Sequence, residues 1–241
     1  MKKLFGLTLL AILLIALCFK AAQWQYERHT ARSAFNALIE ANIAKPSLSE
    51  DEIFSLDEES IAWREVTLFG KFDPSREILI RNRYNNGQYG FGVVTLFLSE
   101  SGKKYWVDRG WVEPGPDAKT PPIVSKVSSE IVSISGRARY ENIEKQVSGT
   151  VFALPNSEGE LTLQKWNNSE TITTEDFYLD LISSSNKTFI PKNPTLLPEL
   201  SDGPHLAYTF QWALFALFVI FGWFLVVREE LRIRKSTKIQ S

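Results

Sequence analysis

The chain has 241 residues, 44% hydrophobic and 23% charged, and its 27 basic and 28 acidic side chains leave a formal net charge of −1. That balance excludes the basic excess of a nucleic-acid binder. One cysteine, one methionine and two histidines exclude a disulfide-stapled domain, a thiolate or thioether copper carrier and a His-Glu-x-x-His zinc protease.

Behind Met1-Lys2-Lys3 comes an apolar run, Leu4 to Phe19. A cleaved secretory signal and an uncleaved anchor compete for it. The run is long for a signal, no small-x-small site follows, and Leu17 is bulky where a lipoprotein site before Cys18 wants a small residue. The expectation is an anchor over residues 4–22, with Lys20 and Trp24-Gln25 at the far interface. No glycine or proline lies between Trp24 and Ala41, so the helix is expected to continue there. On it Trp24, Arg28, Ala31 and Phe35 share one face, and Gln25, His29, Arg32 and Asn36 the next. These faces read either as a solvated interfacial helix or as a Trp/Arg corner beside a second membrane helix.

Residues 45–60 carry six carboxylates between Glu50 and Glu59, without EF-hand spacing, and read as a solvated loop with one short helix. From Trp63 the hydrophobic period changes to two. Strands are expected at Trp63–Phe69, ended by Gly70, and at Glu77–Arg83. An Asn86-Gly87 turn follows, then strands at Phe91–Leu98, Lys104–Val112 and Glu130–Arg139, with Ser101-Gly102 as a tight turn. Residues 113–126 form a proline-bearing connection and 141–160 a second irregular excursion. Glu160–Trp166 and Asp176–Ile182 are read as late strands, and a proline-punctuated run, 188–200, leads back to the membrane.

From Leu206 to Val227 there is no charged residue. At about 1.5 Å per residue this run reaches roughly 33 Å, enough to cross a hydrocarbon core of about 30 Å. Pro204 suits the first turn, Asp202 or Gly203 can cap it, and the charge cluster from Arg228 to Lys235 is its stop. Lys2 and Lys3, and the basic residues after Val227, place both termini in the cytoplasm of a bacterial plasma membrane. The resulting division is a cytoplasmic N-terminus (1–3), a membrane helix (4–22), an outer domain (23–203), a second membrane helix (204–227) and a cytoplasmic tail (228–241). The fold class is thus a two-helix membrane hairpin flanking a mainly antiparallel β-barrel or sandwich with few short helices.

Among motifs, Gly87-x-x-Gly90-x-Gly92 lies between strands and fails the context test for a phosphate site. No Gly-x-Ser-x-Gly elbow exists for a serine hydrolase. Asp108-Arg109 reads as a structural ion pair at a strand end. His205 is either an imidazole among lipid headgroups or an axial ligand. With Tyr208, Thr209, Trp212, Phe215, Ala216 and Val219 it follows i, i+3, i+4, i+7 spacing, which offers one nitrogen donor above flat aromatic surfaces. Arg28 and Arg32 could pair with propionates.

Four stretches carry a family resemblance: Trp24-Gln25-x-x-Arg28, Gly70-Lys71-Phe72-Asp73, Val107-Asp108-Arg109-Gly110-Trp111-Val112, and Gly203-Pro204-His205-Leu206-x-Tyr208-x-x-Gln211-Trp212. In that order, and between two membrane helices, they resemble the surfeit locus protein 1 family of cytochrome c oxidase assembly factors. Ala22, Arg32 and Asp108 depart from the family's usual glycine, lysine and asparagine. The resemblance implies a non-enzymatic chaperone that assists haem a handling and insertion into the catalytic subunit of a haem–copper oxidase. It implies His205 as the haem iron ligand, and Trp24, Arg28, Tyr208 and Trp212 at the pocket or the oxidase contact. The implied partners are that catalytic subunit, haem a synthase and the lipid bilayer. A cofactor-free scaffold that stabilises oxidase subunits is the alternative. An outer-facing sensor, a third reading, lacks a cytoplasmic signalling domain to report to.

Overall fold

Between Gly6 and Pro46 no glycine or proline interrupts the chain, and up to Ile43 it is one helix, α1 (Lys2–Ile43). The computed structural model describes residues 2–117, 120–141, 162–190 and 192–239. The chain divides into two units, Met1–Asn36 with Leu200–Ser241, and Ala37–Glu199.

The first unit pairs α1 with the last helix, α5 (His205–Ile239). Shielded positions on α1 recur at alternating steps of four and three: Leu4, Thr8, Ala11, Ile15, Cys18, Ala22, Gln25, His29, Arg32 and Asn36. On α5 the same rhythm runs His205, Thr209, Trp212, Ala216, Val219 and Trp223. This is the 3.5-residue repeat of helices packed at a shallow angle. Small residues at the seam (Ala11, Cys18, Ala22, Ala216) let the backbones approach, and Trp223 Nε1 donates to Thr8 Oγ1 at 3.1 Å. Large apolar side chains point outward instead: Phe5, Leu9, Leu13, Phe218 and Phe221 are each more than half exposed. Both helices are long and apolar enough to cross a membrane, and this outward apolar surface suits lipid better than water. The charge cluster after Val227 ends the apolar span but not the helix, because Arg234 bonds Glu230 one turn back at 3.0 Å.

The second unit is a mixed sheet with few helices. After α1, β1 (Leu48–Ser49) leads into two one-turn helices, α2 (Glu50–Ile53) and α3 (Glu58–Ile61). Glu52 and Ser49 form a capping box, and Asp57 caps α3 through Ser60 N–H. The strands are β2 (Glu65–Asn85), β3 (Gln88–Ser99), β4 (Lys104–Val112), β5 (Val132–Arg139) and β6 (Tyr178–Ser184). The sheet order is β1-β2-β3-β4-β6-β5, and β5 also pairs with β2, so the hydrogen-bonded circuit returns to its start. The pairings β2–β3, β2–β5, β3–β4 and β5–β6 are antiparallel, whereas the short pairings β1–β2 and β4–β6 are parallel, so the sheet is mixed with most of its ladder antiparallel.

Two expected elements are corrected. Gly70 does not end a strand; β2 runs through it, because Leu98 O and Ser99 of β3 lie where a side chain at residue 70 would have to go. The strand bends instead at register shifts between Asp73 and Glu77 and between Ile80 and Arg83, the first accommodating Pro74, which has no N–H to donate. Glu160–Trp166 is not a strand where it is described: Thr162–Glu170 is a helix, α4. Leu163 and Trp166, three residues apart, both enter a cluster with Val94, Leu96, Trp106 and Tyr178, and Trp106 Nε1 donates to Asn167 Oδ1 at 2.9 Å. The excursion expected at 141–160 lies, beyond Glu141, outside the described residues. Asn86-Gly87 has positive φ at both positions (49° and 78°), the type I′ geometry that its sequence calls for.

Strand β3 is buried on both faces from Val93 to Phe97, Val94 and Leu96 towards α4 and Phe97 against Phe72, whose rings meet edge-on at 5.0 Å. The glycine-rich run beside it has a packing role. A Cβ at Gly90 would fall 2.4 Å from the Trp111 ring, and one at Gly92 would press on Arg83.

Candidate functional site

In the first unit, the chain enters α5 through Ser201-Asp202-Gly203-Pro204. Gly203 takes φ +67°, and Pro204 O accepts the first helical bond from Tyr208 N–H at 3.1 Å. Three seam residues of α1 hold this entry. Asn36 Nδ2 donates to Asp202 Oδ1 at 2.9 Å, Arg32 Nε donates to Ser201 O at 2.7 Å, and Gln25 Oε1 lies 2.9 Å from His205 Nδ1. Arg28, Arg32 and His29 lie within electrostatic range of the same imidazole. The Nδ1 of His29 is buried and has no hydrogen-bond partner. On the far edge of the His205 ring stands Gly203, where a Cβ would sit 3.6 Å from Cδ2 and 3.7 Å from Nε2. The ring thus has one nitrogen engaged and the other facing a residue without a side chain. That arrangement is suited to a neutral imidazole donating an Nε2 lone pair, with guanidinium groups near enough for carboxylates.

Of the expected site residues, Arg28 is half-buried and in range of His205. Trp212 is half-buried on the seam, edge-on to Phe215 at 5.6 Å. Tyr208 and Trp24 are 45% and 56% exposed. The face expected below His205 therefore divides: Thr209, Trp212, Ala216 and Val219 belong to the helix seam, whereas Tyr208 and Phe215 flank it, open to the surroundings. Sequence reasoning did not single out Gln25 or Gly203 as neighbours of the ring. The available signal was that Gln25 shares a helical face with His29, Arg32 and Asn36.

The second unit holds a different cluster. Asp108 and Asp180 sit in register on the parallel strands β4 and β6, both buried, and each has its own guanidinium. Arg83 meets Asp108 at 2.6 Å and Arg139 meets Asp180 at 2.5 Å. Burial pushes the Asp108 carboxyl up to about 6, against the pull of Arg83 and with Asp180 adding to the rise. Arg109, 1% exposed, donates to Glu77 at 3.0 Å, Phe189 O at 3.1 Å and Ser125 O at 2.6 Å. The Asp108-Arg109 pair is thus used in cross-strand ion pairs. Among the described residues no group of three or more His, Cys, Asp or Glu side chains could hold a metal ion.

The family model described as the SURF1 family matches residues 12–217, from inside the first apolar run to beyond Trp212. An uncharacterized SURF1-like protein of Mycobacterium bovis is 27% identical over 247 residues, covering 98% of this chain and 88% of its own length. Uncharacterized SURF1-like proteins of two Mycobacterium tuberculosis strains match with the same identity and coverage. A match that reaches into both apolar runs and takes in the whole strand set and the His205 entry has one reading: the chain belongs to the SURF1 family.

Proposed function

We propose that the protein is an assembly factor for a haem–copper oxidase and that it handles haem a on its way to the catalytic subunit, with His205 as the iron ligand. Family membership supports the general role in oxidase assembly. The observation that carries the haem reading is the imidazole at the mouth of α5, whose Nε2 faces Gly203 while Arg28 and Arg32 stand in range. Imidazole nitrogen is an ordinary haem iron donor, and guanidinium groups pair well with propionates. Trp24, Tyr208 and Trp212 supply flat apolar surface nearby, and no step calls for an acid, base or nucleophile from this chain. The protein acts as a chaperone, not a catalyst.

The same reading places both apolar helices across the bacterial plasma membrane with both termini cytoplasmic, supported by the basic residues beyond each run. The strand circuit that returns to β2 supports a small closed barrel for the outer unit. Full-length protein purified from cells that make haem a should carry a haem absorption spectrum that His205→Ala weakens. A spectrum unchanged in that variant removes the ligand assignment. No haem in the wild type, together with normal co-purification of oxidase subunits with His205→Ala, replaces it with the scaffold reading.

A further inference from the structure

The contact between Gln25 and His205 joins residues far apart in sequence, one on each helix of the first unit, and it is chemically directional. An amide oxygen accepts hydrogen bonds and does not donate them. With the amide in this orientation, the imidazole nitrogen 2.9 Å from Gln25 Oε1 carries the proton, which makes neutral His205 the Nδ1–H tautomer with its lone pair on Nε2. The Nε2 edge is the one beside Gly203, where no side chain intrudes. Gln25 is a half-buried seam residue between Ala22 and His29, and Arg32 and Asn36 fix the 201–202 segment about two and three turns further on.

We propose that Gln25 is the positioning residue of this site: it selects the Nδ1–H tautomer of His205 and aims Nε2 as the ligating atom. The role rests on His205 being the haem ligand. A carbonyl acceptor on the far nitrogen both orients a metal-ligating imidazole and makes it a better donor, and removing such partners commonly weakens metal binding about 10- to 100-fold. A glutamine flipped to present its Nε2 would impose the opposite tautomer and block ligation, so the tautomer is the decisive observable.

The test uses full-length protein in detergent micelles with ¹⁵N-labelled histidine, and His29→Asn leaves a single imidazole to read. Without haem, the ring nitrogen shifts of His205 should report Nδ1–H in the wild type and in Gln25→Glu, and mixed tautomers in Gln25→Leu. With ferric haem titrated in, Gln25→Leu should bind at least about tenfold more weakly, while Gln25→Glu retains binding and lowers the reduction potential by strengthening donation to the iron. The carboxylate variant keeps the question answerable if the leucine variant misfolds. An Nε2–H tautomer in the wild type overturns the proposal even if haem still binds through His205. Unchanged tautomer and unchanged haem affinity in Gln25→Leu overturn it likewise. If wild-type protein binds no haem, the ligand reading falls, and the haem-free tautomer series still shows whether Gln25 orients the ring.

Discussion

Replacing Arg139 with methionine should unbalance the buried charges of the second unit. The guanidinium is 4% exposed, meets Asp180 at 2.5 Å and lies 3.9 Å above the Trp63 ring. Asp180 is 2% exposed, its Oδ1 already lacks a partner, and its registered neighbour Asp108 is fully buried. Methionine keeps most of the volume, so the main loss is electrostatic: two adjacent carboxylates would be left with Arg83 and with Arg137, which stands in register with Asp180. Breaking a buried pair by removing one partner costs about 3–5 kcal/mol, and the lost stacking on Trp63 adds about 1 kcal/mol. Against a typical total of about 5–15 kcal/mol, that is a large fraction. The assay is denaturant unfolding of the full-length protein in mild detergent, followed by tryptophan fluorescence. The deficit should shrink as pH is lowered from about 7 towards 5, because Asp108, its carboxyl raised to about 6 by burial and freed of the pull of Arg139, takes up a proton and relieves the crowding beside Asp180. Adding Asp180→Asn to Arg139→Met should restore about 2 kcal/mol or more. A deficit under about 1 kcal/mol, or one that ignores pH, would refute the idea that this pair neutralises a buried charge.

Asp108→Asn should flatten the pH dependence of wild-type stability in the acid range. With a folded value raised to about 6 and an unfolded value near 3.9, the folded protein holds a proton the unfolded chain has lost, so stability falls as pH climbs across that window. Denaturation midpoints between about pH 4 and 7 should show this slope in the wild type and lose it in the variant. Gly70→Ala should cost about 3 kcal/mol, since its Cβ would meet Leu98 O at 2.1 Å, whereas Gly87→Ala, in open space at φ +78°, should cost about 1 kcal/mol. Equal costs would mean that β2 and β3 do not approach closely at residue 70. Gly203→Ala should weaken haem binding while the Nδ1–H tautomer of His205 persists in NMR, because the new methyl occupies the space beside Nε2 and strains the entry at φ +67° without touching the Gln25 contact; unaltered affinity would place the haem elsewhere.

The local features of this chain are legible without coordinates because they depend on near neighbours. An unbroken apolar stretch has to bury its backbone polar groups in a helix, Asn86-Gly87 tolerates the positive φ of a type I′ turn, and the aromatic and β-branched residues between Lys104 and Val112 suit a strand. The same reading misjudged Gly70 and the described part of Glu160–Trp166, from Thr162 on. A glycine that breaks a strand and one that admits a crossing backbone look alike in sequence, and Leu-x-Leu followed by Trp fits a strand period and a helical face equally well. Tertiary packing decided both, through Leu98 in one case and the apolar cluster under α4 in the other.

The functional region divides in the same way. His205 at the mouth of an apolar helix is visible in the order of residues, because solvent preference along a single segment is a local property. That Gln25 meets its Nδ1, that Gly203 clears its Nε2, and that Asp108 stands in register beside Asp180 depend on the heptad phase of two helices and on strand pairing. Those relations are set by non-local packing, where a shift of one residue would turn each of these side chains to another face.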